Sequence, residues 1–199
     1  MKIIMIIIGI TGSIGMGKTT IASMLRFLKI PVFDSDQEVK KILEQDYLVM
    51  KKIYETWPDT VCFEKKKINK SLLADIIFRN KNDREKLELI IHPLIQNERN
   101  AFIEKNHLSY IIGLDVPLLY ETGTDKICDY IFLADTSEKK QKKRVLLRRD
   151  MTEKKFNLIK KTQWSHEKKK EKKPFIINTS FGKTISFTIL LLYLIKIII

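Results

Sequence analysis

The residues best suited to chemistry lie between positions 9 and 20, where the chain reads GITGSIGMGKTT. The segment from Gly12 to Thr19 fits the phosphate-loop pattern G-x-x-x-x-G-K-[ST]. Bare glycine backbone lets N–H groups approach phosphate oxygens closely, the lysine can reach the β- and γ-phosphates, and the threonine hydroxyl can bind Mg²⁺. The pattern therefore predicts a nucleoside triphosphate site. Its predicted contact residues are Gly12, Ser13, Ile14, Gly15, Met16, Gly17, Lys18, Thr19 and Thr20.

The segments on either side of this loop are those that the motif requires. The upstream run IIMIIIGI predicts a strand that is buried on both faces. The downstream run TTIASMLRFL places apolar residues at helical spacing, and the N-terminus of a helix adds free N–H groups and the positive end of its dipole. Because the loop follows at once, we interpret MKIIMIII as the first strand and not as a signal peptide.

A second candidate group follows the next predicted strand, IPVFD, which ends in Asp34-Ser35-Asp36. The carboxyl ends of parallel strands open onto the ligand crevice of such a sheet. An acid at that position can accept the proton of an attacking alcohol, so Asp36 is the predicted general base. The alternative is a helix cap, which Asp34 or Ser35 can supply while Asp36 serves the chemistry.

The remaining elements alternate between strands and helices. Buried strands are predicted at 109–115, 129–135 and 175–178. Helices are predicted at 36–57, 72–78, 83–105 with an interruption at Pro93, 137–149, and after an N-cap at Thr152. This alternation indicates an α/β protein: a three-layer αβα phosphate-loop NTPase fold with a five-stranded parallel sheet and helical substrate-binding and lid segments.

We expect one phosphate-loop kinase domain over residues 1–199. The predicted parts are a core at 1–36, 107–136 and 174–182, a helical substrate-binding insertion at about 37–106, a lid at about 137–165 and an apolar tail at 183–199.

The strongly basic composition has two interpretations. The chain carries 37 Lys and Arg against 24 Asp and Glu, a net charge of +13. Much of the excess lies in KKQKKR (139–144) and HEKKKEKK (166–173). Such runs are typical of solvated helix faces, so we expect an anionic small substrate and no nucleic acid.

Cysteine use and the C-terminal segment bear on location. Cys62 and Cys128 are far apart and form no C-x-x-C pair, which favours a reducing cytoplasm over a disulfide framework or a zinc site.

The segment ISFTILLLYLIKIII (185–199) is shorter than the roughly 20 apolar residues of a membrane span. A buried helix or strand is therefore favoured, with a membrane or partner contact as the alternative.

A GTPase is one alternative, because Asn80-Lys81-Asn82-Asp83 matches the guanine-binding pattern N-K-x-D. That pattern should follow a late buried strand, whereas here it joins two predicted helices. The chain also lacks D-x-x-G. We interpret the segment as a helix start with Asp83 in the first turn.

Six segments together resemble one family, the dephospho-CoA kinases. They are the phosphate loop, IPVFDSD, INKSLLADIIF with IIHPLI, DVPLLYE, KKRVLLRRDMTEKKF and FIINTS, and they span about residues 3–182. DVPLLYE resembles the P-L-L-[FY]-E signature of that family, which discriminates far better than the loop alone. The resemblance implies ATP-dependent phosphorylation of the ribose 3′-hydroxyl of dephospho-CoA, the last step of coenzyme A biosynthesis.

The resemblance also implies roles for single residues. The implied catalytic residues are Lys18, Asp36 and Arg148, with Arg144 and Arg149 as alternatives to Arg148. Thr19 and Asp115 are the implied Mg²⁺ ligands. The implied substrate-binding residues are Asp36, Lys40, Pro117, Leu118, Leu119 and Glu121, although the turn 117–121 is equally compatible with a strand exit fixed by Pro117.

The chain departs from the family pattern at several positions. Lys40, Gln96 and Thr162 stand where arginine is usual, and lysine keeps the charge without the bidentate fork. Lys173-Pro174 replaces the usual Ala-Asp, and the apolar tail differs from the amphipathic terminal helix of the family. Two alternatives stay open: another kinase of the nucleoside-monophosphate type, and a non-catalytic nucleotide- or nucleic-acid-binding protein. We expect no membrane partner, and the sequence does not predict the oligomeric state.

Overall fold

Regular elements make up most of the computed structural model, which describes residues 5–149 and 151–199. In chain order the strands are β1 (Ile6–Thr11), β2 (Val32–Asp34), β3 (Val61–Cys62), β4 (Lys67–Ile68), β5 (Ile111–Asp115), β6 (Tyr130–Asp135) and β7 (Phe175–Asn178). The helices are α1 (Lys18–Phe27), α2 (Ser35–Gln45), α3 (Tyr47–Thr56), α4 (Lys70–Arg79), α5 (Lys81–Lys105), α6 (Glu138–Leu146), α7 (Glu153–Thr162), α8 (His166–Glu171) and α9 (Lys183–Ile198).

Five of the strands form a parallel sheet in the order β2–β5–β1–β6–β7. This confirms the predicted fold class. The register pairs Ile10 with Asp115 and Asp34 with Asp115, so β1, β2 and β5 end at one edge. The chain after β1 forms the phosphate loop at this same edge, which is where ligands bind in open parallel sheets.

The apolar strands are buried because helices cover the sheet. All five residues of β5 are buried, as expected for a strand covered on both faces. Helix α1 contributes Ile21 and Leu25, and α9 contributes Leu190 and Leu194, to one hydrophobic cluster with the sheet. Burial of these side chains fixes the start of α1 against the end of β1, and therefore fixes the phosphate loop between them.

The chain divides into two compact units, residues 1–34 with 105–199 and residues 35–104. The second unit contains helices α2 to α5 and the antiparallel hairpin β3–β4. It has its own apolar cluster, which includes Ile53, Trp57 and Leu73. Its bounds lie close to those predicted for the helical insertion.

Two helix predictions in the second unit were wrong. The segment 36–57 forms two helices, because the Asp46 carboxylate accepts hydrogen bonds from the N–H groups of Leu48 (2.9 Å) and Val49 (3.1 Å) and caps α3. Pro93 lies inside α5 without ending it. Pro93 and Leu89, one turn earlier, are both exposed, so water can satisfy the carbonyl that proline leaves unpaired.

The N-K-x-D segment is a helix start, as predicted. The Asn80 side chain accepts a hydrogen bond from the N–H of Asn82 (2.9 Å), and Asp83 lies in the first turn of α5. The Asp83 carboxylate accepts a further hydrogen bond from the Trp57 indole at 3.2 Å. These residues are used structurally, which removes the support for a GTPase.

The apolar tail forms helix α9. The prediction of a buried element is confirmed for one face of this helix only. Leu190 is fully buried, whereas Leu192 is 60% exposed. Of the helices in the described ranges, 5–149 and 151–199, none combines the length and apolar character needed to span a bilayer.

Shortening Leu190 is expected to cost stability, and shortening Leu192 is not. Leu190→Ala removes a fully buried side chain from the sheet cluster, so we expect a loss of about 3 kcal/mol in the free energy of unfolding. For a chain of this length that corresponds to a Tm lower by roughly 6–12 °C. Leu192→Ala, the matched control on the exposed side, should stay within about 0.5 kcal/mol. Equal melting of both variants would show that α9 does not pack as described.

Candidate active site

The phosphate loop has a backbone shape that only glycine adopts readily. Gly15 and Gly17 have φ values of +79° and +104°. A Cβ atom at Gly15 would lie 2.5 Å from the Val145 side chain, and one at Gly17 would lie 2.7 Å from the Thr179 hydroxyl. Glycine at these two positions therefore permits the backbone turn. It also allows α6 and the segment after β7 to lie close to the phosphate loop.

Lys18 lies at the first position of α1, beside an acid from the sheet. Its Nζ atom is 3.7 Å from the Asp115 Oδ1 atom, and the two side chains are only 14% and 6% exposed. Asp115 is the last residue of β5, so the strand end places a carboxylate next to the phosphate-loop lysine. This pairing holds the ammonium group at the mouth of the loop, where phosphate oxygens would compete for it.

The Mg²⁺ prediction rests on Thr19 and Asp115. Across residues 5–149 and 151–199, no three His, Cys, Asp or Glu side chains cluster as a metal site would require. Kinase Mg²⁺ sites do not need such a cluster, since one or two protein oxygens act together with substrate phosphates and water. A hydroxyl in the first turn of α1 and a carboxylate beside Lys18 fit that type of site.

Two glutamines that the sequence analysis did not single out hold the loop at Ile14. The Gln163 Oε1 atom accepts a hydrogen bond from the Ile14 N–H at 3.0 Å. The Gln141 Nε2 atom donates to the Ile14 carbonyl at 2.8 Å. Gln141 lies on α6 and Gln163 directly follows α7, so both ends of the predicted lid contact the same loop residue.

Thr179 and Arg144 form a second support that sequence reasoning missed. The Thr179 hydroxyl donates to the Met16 carbonyl at 2.7 Å. The Arg144 guanidinium donates to the Thr179 hydroxyl (2.8 Å) and to its carbonyl (2.6 Å). Because its guanidinium is engaged in this way, Arg144 is a poor alternative to Arg148. The only sequence signal was the position of Thr179 directly after the last strand.

Arg148 does not lie on the lid helix, contrary to the prediction. Helix α6 ends at Leu146, and Arg148 follows in a turn where its N–H donates to the Val145 carbonyl at 3.0 Å. The side chains of Arg148 and Arg149 are both exposed. A turn after a helix moves more readily than a helix interior, which suits a residue that must reach a bound nucleotide.

The two acids after β2 have different surroundings. The Asp34 carboxylate lies 3.6 Å from the Arg26 guanidinium, within the first unit. Asp36 lies in the first turn of α2 and is exposed, as is Lys40 one turn later. Asp34 is therefore engaged in an ion pair, and Asp36 has the exposed position that a general base needs.

The turn after β5 contains both surface residues and core residues. Pro117 and Leu118 are partly exposed, but Leu119 is fully buried, and its Cδ1 atom would be 2.8 Å from a Cβ at Gly9. Leu119 therefore supports the turn from the protein interior, and its assignment as a substrate contact stays a prediction. The Glu121 carboxylate binds the Trp164 N–H at 2.6 Å and the Lys169 ammonium at 3.1 Å. Glu121 therefore has a structural role in this turn, and its assignment as a direct substrate contact stays a prediction.

Aromatic stacking joins this turn to the end of the lid. The rings of Tyr120 and Trp164 lie 5.8 Å apart and nearly parallel, at 9°. Burial, with the nearby carboxylate of Asp125, raises the pKa of Tyr120 to about 12. The phenol therefore stays neutral at physiological pH, and the stack is insensitive to pH changes in that range.

The chain is similar to known proteins in both sequence and fold. The sequence profile of the dephospho-CoA kinase family matches residues 6–183. A dephospho-CoA kinase from Bartonella quintana is 38% identical over 184 residues, which cover 92% of each chain. A crystal structure from Thermus thermophilus superposes with a TM-score of 0.82 at 24% identity, covering 98% of both chains. A dephospho-CoA kinase from Campylobacter jejuni superposes with a TM-score of 0.69 at 22% identity, covering 96% of both.

The two structural matches show the shared fold, and the sequence matches decide the family. A phosphate loop alone is common to many kinases, but the profile extends over the loop, the turn after β5, the lid and the last strand. The chain belongs to the dephospho-CoA kinase family.

Proposed function

We propose that this chain performs the family reaction with Lys18, Asp36 and Arg148 as catalytic residues. The reaction of the family is ATP-dependent phosphorylation of the 3′-hydroxyl of dephospho-CoA, the last step of coenzyme A biosynthesis. The observation that carries the residue assignment is the pairing of Lys18 and Asp115 at the edge of the sheet where the phosphate loop begins. A cation and a carboxylate at this edge of the sheet would suit the end of a bound triphosphate.

The loop residues from Gly12 to Thr20 would bind the triphosphate. Their N–H groups and the N-terminus of α1 supply positive partial charge, and Lys18 neutralises the β- and γ-oxygens. Thr19 and Asp115 would hold Mg²⁺ together with the phosphates. When bound, Mg²⁺ would neutralise the charge that develops on the oxygens during transfer.

Asp36 would accept the proton of the attacking 3′-hydroxyl. Phosphoryl transfer needs positioning and charge neutralisation more than covalent chemistry, so one oriented base and a few cations suffice. Arg148 would stabilise the negative charge on the transferred group from the lid side. Pro117 and Leu118 would contact dephospho-CoA, and Lys40 would attract one of its phosphates.

The assay that tests the function combines purified protein with Mg-ATP and dephospho-CoA and measures ADP release. AMP and adenosine serve as alternative acceptors. Turnover that requires dephospho-CoA supports the proposal and shows that Lys40, Gln96 and Thr162 suffice where arginine is usual. ADP formed only with AMP or adenosine would instead support a nucleoside-monophosphate-type kinase. ATP binding without any acceptor would support a binding protein.

Arg148→Met is expected to lower kcat by about 10²-fold, since removal of one preorganised donor to transition-state charge typically costs that much. The Kd for ATP should change little, because the triphosphate is held by the loop. Lys139→Met, an exposed lysine on α6, is the control for loss of one positive charge. If Arg149→Met loses activity while Arg148→Met does not, the role belongs to Arg149.

We also propose a cytoplasmic location for this protein. A reducing cytoplasm agrees with the thiol state of Cys62 and Cys128. We propose dephospho-CoA and ATP as the ligands, with no nucleic acid. Phosphate-backbone binding would weaken steeply with rising salt, so binding of a DNA duplex at low and moderate salt tests this point.

A further inference from the structure

One lysine in the basic run after the lid differs from its neighbours. Lys169, on α8, has a fully buried side chain, whereas Lys168 and Lys170 are exposed. The run was predicted to be a solvated helix face, and for Lys169 that prediction was wrong. Removing an ammonium group from water is unfavourable unless protein groups replace the hydrogen bonds and charge interactions lost with the water. The burial of Lys169 is therefore explained by the groups that contact it.

Lys169 is held between two atoms of the turn after β5. Its Nζ atom lies 3.1 Å from the Glu121 Oε1 atom and donates to the Pro117 carbonyl, also at 3.1 Å. Burial lowers the pKa of Lys169, and the Glu121 carboxylate opposes that effect. The positive charge of Lys18 lowers the pKa of Lys169 further.

Glu121 carries the contact from Lys169 to the end of the lid. Its Oε1 atom also accepts the backbone N–H of Trp164 at 2.6 Å. Its Oε2 atom is buried and accepts no hydrogen bond from any residue in the described ranges. The buried carboxylate therefore depends on Lys169 for its counter-charge, and Trp164 depends on the carboxylate for its anchor.

The anchored residue directly follows Gln163, which contacts the phosphate loop. The Gln163 side chain accepts the Ile14 N–H at 3.0 Å, and the Trp164 ring stacks on Tyr120. A fixed backbone at Trp164 limits where the Gln163 amide can go. The chain of contacts thus runs from Lys169 through Glu121 and Trp164 to the loop.

We propose that Lys169 is a positioning residue for nucleotide binding: paired with Glu121, it anchors the backbone at Trp164 and keeps the Gln163 amide on Ile14 of the phosphate loop. Lys169 acts through other residues and does not contact the reacting atoms. The inference rests on the proposed binding of ATP at this loop. Without this anchor, a smaller fraction of the molecules has the phosphate loop in its binding-competent conformation. The apparent Kd for ATP equals the intrinsic Kd divided by that fraction, so it rises.

The first test is Lys169→Met, which keeps the length of the side chain and removes its charge. We expect the Kd for ATP, measured by titration calorimetry, to rise about tenfold, corresponding to a competent population of about one tenth. The kcat at saturating substrate should stay within about threefold, since no transition-state contact is lost. Lys172→Met, an exposed lysine just after α8, is the matched control and should leave both values unchanged.

The fluorescence of Trp164 gives a readout that needs no turnover. The chain has two tryptophans, so Trp57→Phe leaves Trp164 as the sole reporter. In that background Lys169→Met should shift the emission of Trp164, and Lys169→Arg should restore both the emission and part of the ATP affinity. A changed emission with wild-type ATP affinity would overturn the proposal.

A double-mutant cycle tests whether Lys169 acts through Gln163. Gln163→Ala should raise the Kd for ATP by a similar factor. If both residues belong to one chain of contacts, the double variant should show about the tenfold rise of either single variant. A rise near 100-fold, the product of independent effects, would show that Lys169 acts by another route and would overturn the proposal.

If Lys169→Met does not fold, the charge-neutral pair Glu121→Gln with Lys169→Met removes both buried charges, and wild-type ATP affinity in that variant would overturn the proposal. Absence of turnover with dephospho-CoA would contradict the proposed function, but the calorimetry and fluorescence would still decide the role of Lys169.

Discussion

Replacing Lys18 by alanine is expected to lower kcat by at least about 10³-fold, because in the proposed mechanism its ammonium group would neutralise the β- and γ-oxygens of the bound triphosphate. Lys18 is only 14% exposed and lies 3.7 Å from Asp115, so its charge acts in surroundings with little screening by water. ATP affinity should also fall. ADP release in the presence of dephospho-CoA measures the first effect, and calorimetric titration with ATP measures the second.

Two controls separate this effect from general damage. Lys18→Met keeps the aliphatic stem, so a melting temperature close to that of the wild type with the same loss of kcat would assign the loss to charge. Lys29→Ala removes an exposed lysine just after α1 and should leave kcat unchanged. A near-normal kcat in Lys18→Ala would contradict the assignment of the phosphate loop.

Local patterns explain why much of the fold was predictable. The residues from Gly12 to Thr19 are contiguous in the sequence and form the phosphate loop and the start of α1. Their types alone therefore indicate both the positive φ values and the beginning of the helix. The five strands of the sheet are apolar runs bounded by polar residues, and such runs can be recognised without knowledge of their neighbours. Family-specific motifs then distinguished this chain from other phosphate-loop proteins.

The supports of the loop were not predictable, because they come from distant segments. Gln163 is 149 residues from Ile14 in sequence, and Gln141 is 127 residues from it. A glutamine on a charged helix has no pattern that indicates such a contact. Lys169 illustrates the same difficulty, since its six flanking charged neighbours favoured a solvated face while tertiary packing buried it.

The role of the turn after β5 also depended on packing. The family resemblance implied substrate contacts at this turn, and a strand exit fixed by Pro117 was an equal alternative. Leu119 is fully buried, and Glu121 is engaged by Trp164 and Lys169, so part of the motif supports the turn from within. Pro117 and Leu118 keep the exposure that contact with a substrate requires.

The change Asp36→Asn is expected to lower kcat by about 10²–10⁴-fold while ATP still binds. Asparagine keeps the size and the hydrogen-bonding capacity of the side chain but cannot accept the proton of the attacking hydroxyl. Glu38→Gln is the matched control, because Glu38 lies in the same first turn of α2 and its loss removes the same charge near the helix N-terminus. Measurement of kcat and of the Kd for ATP in both variants separates the two effects. Full activity in Asp36→Asn would reduce Asp36 to a favourable charge at the start of α2, whereas a selective loss of kcat would support its role as the general base.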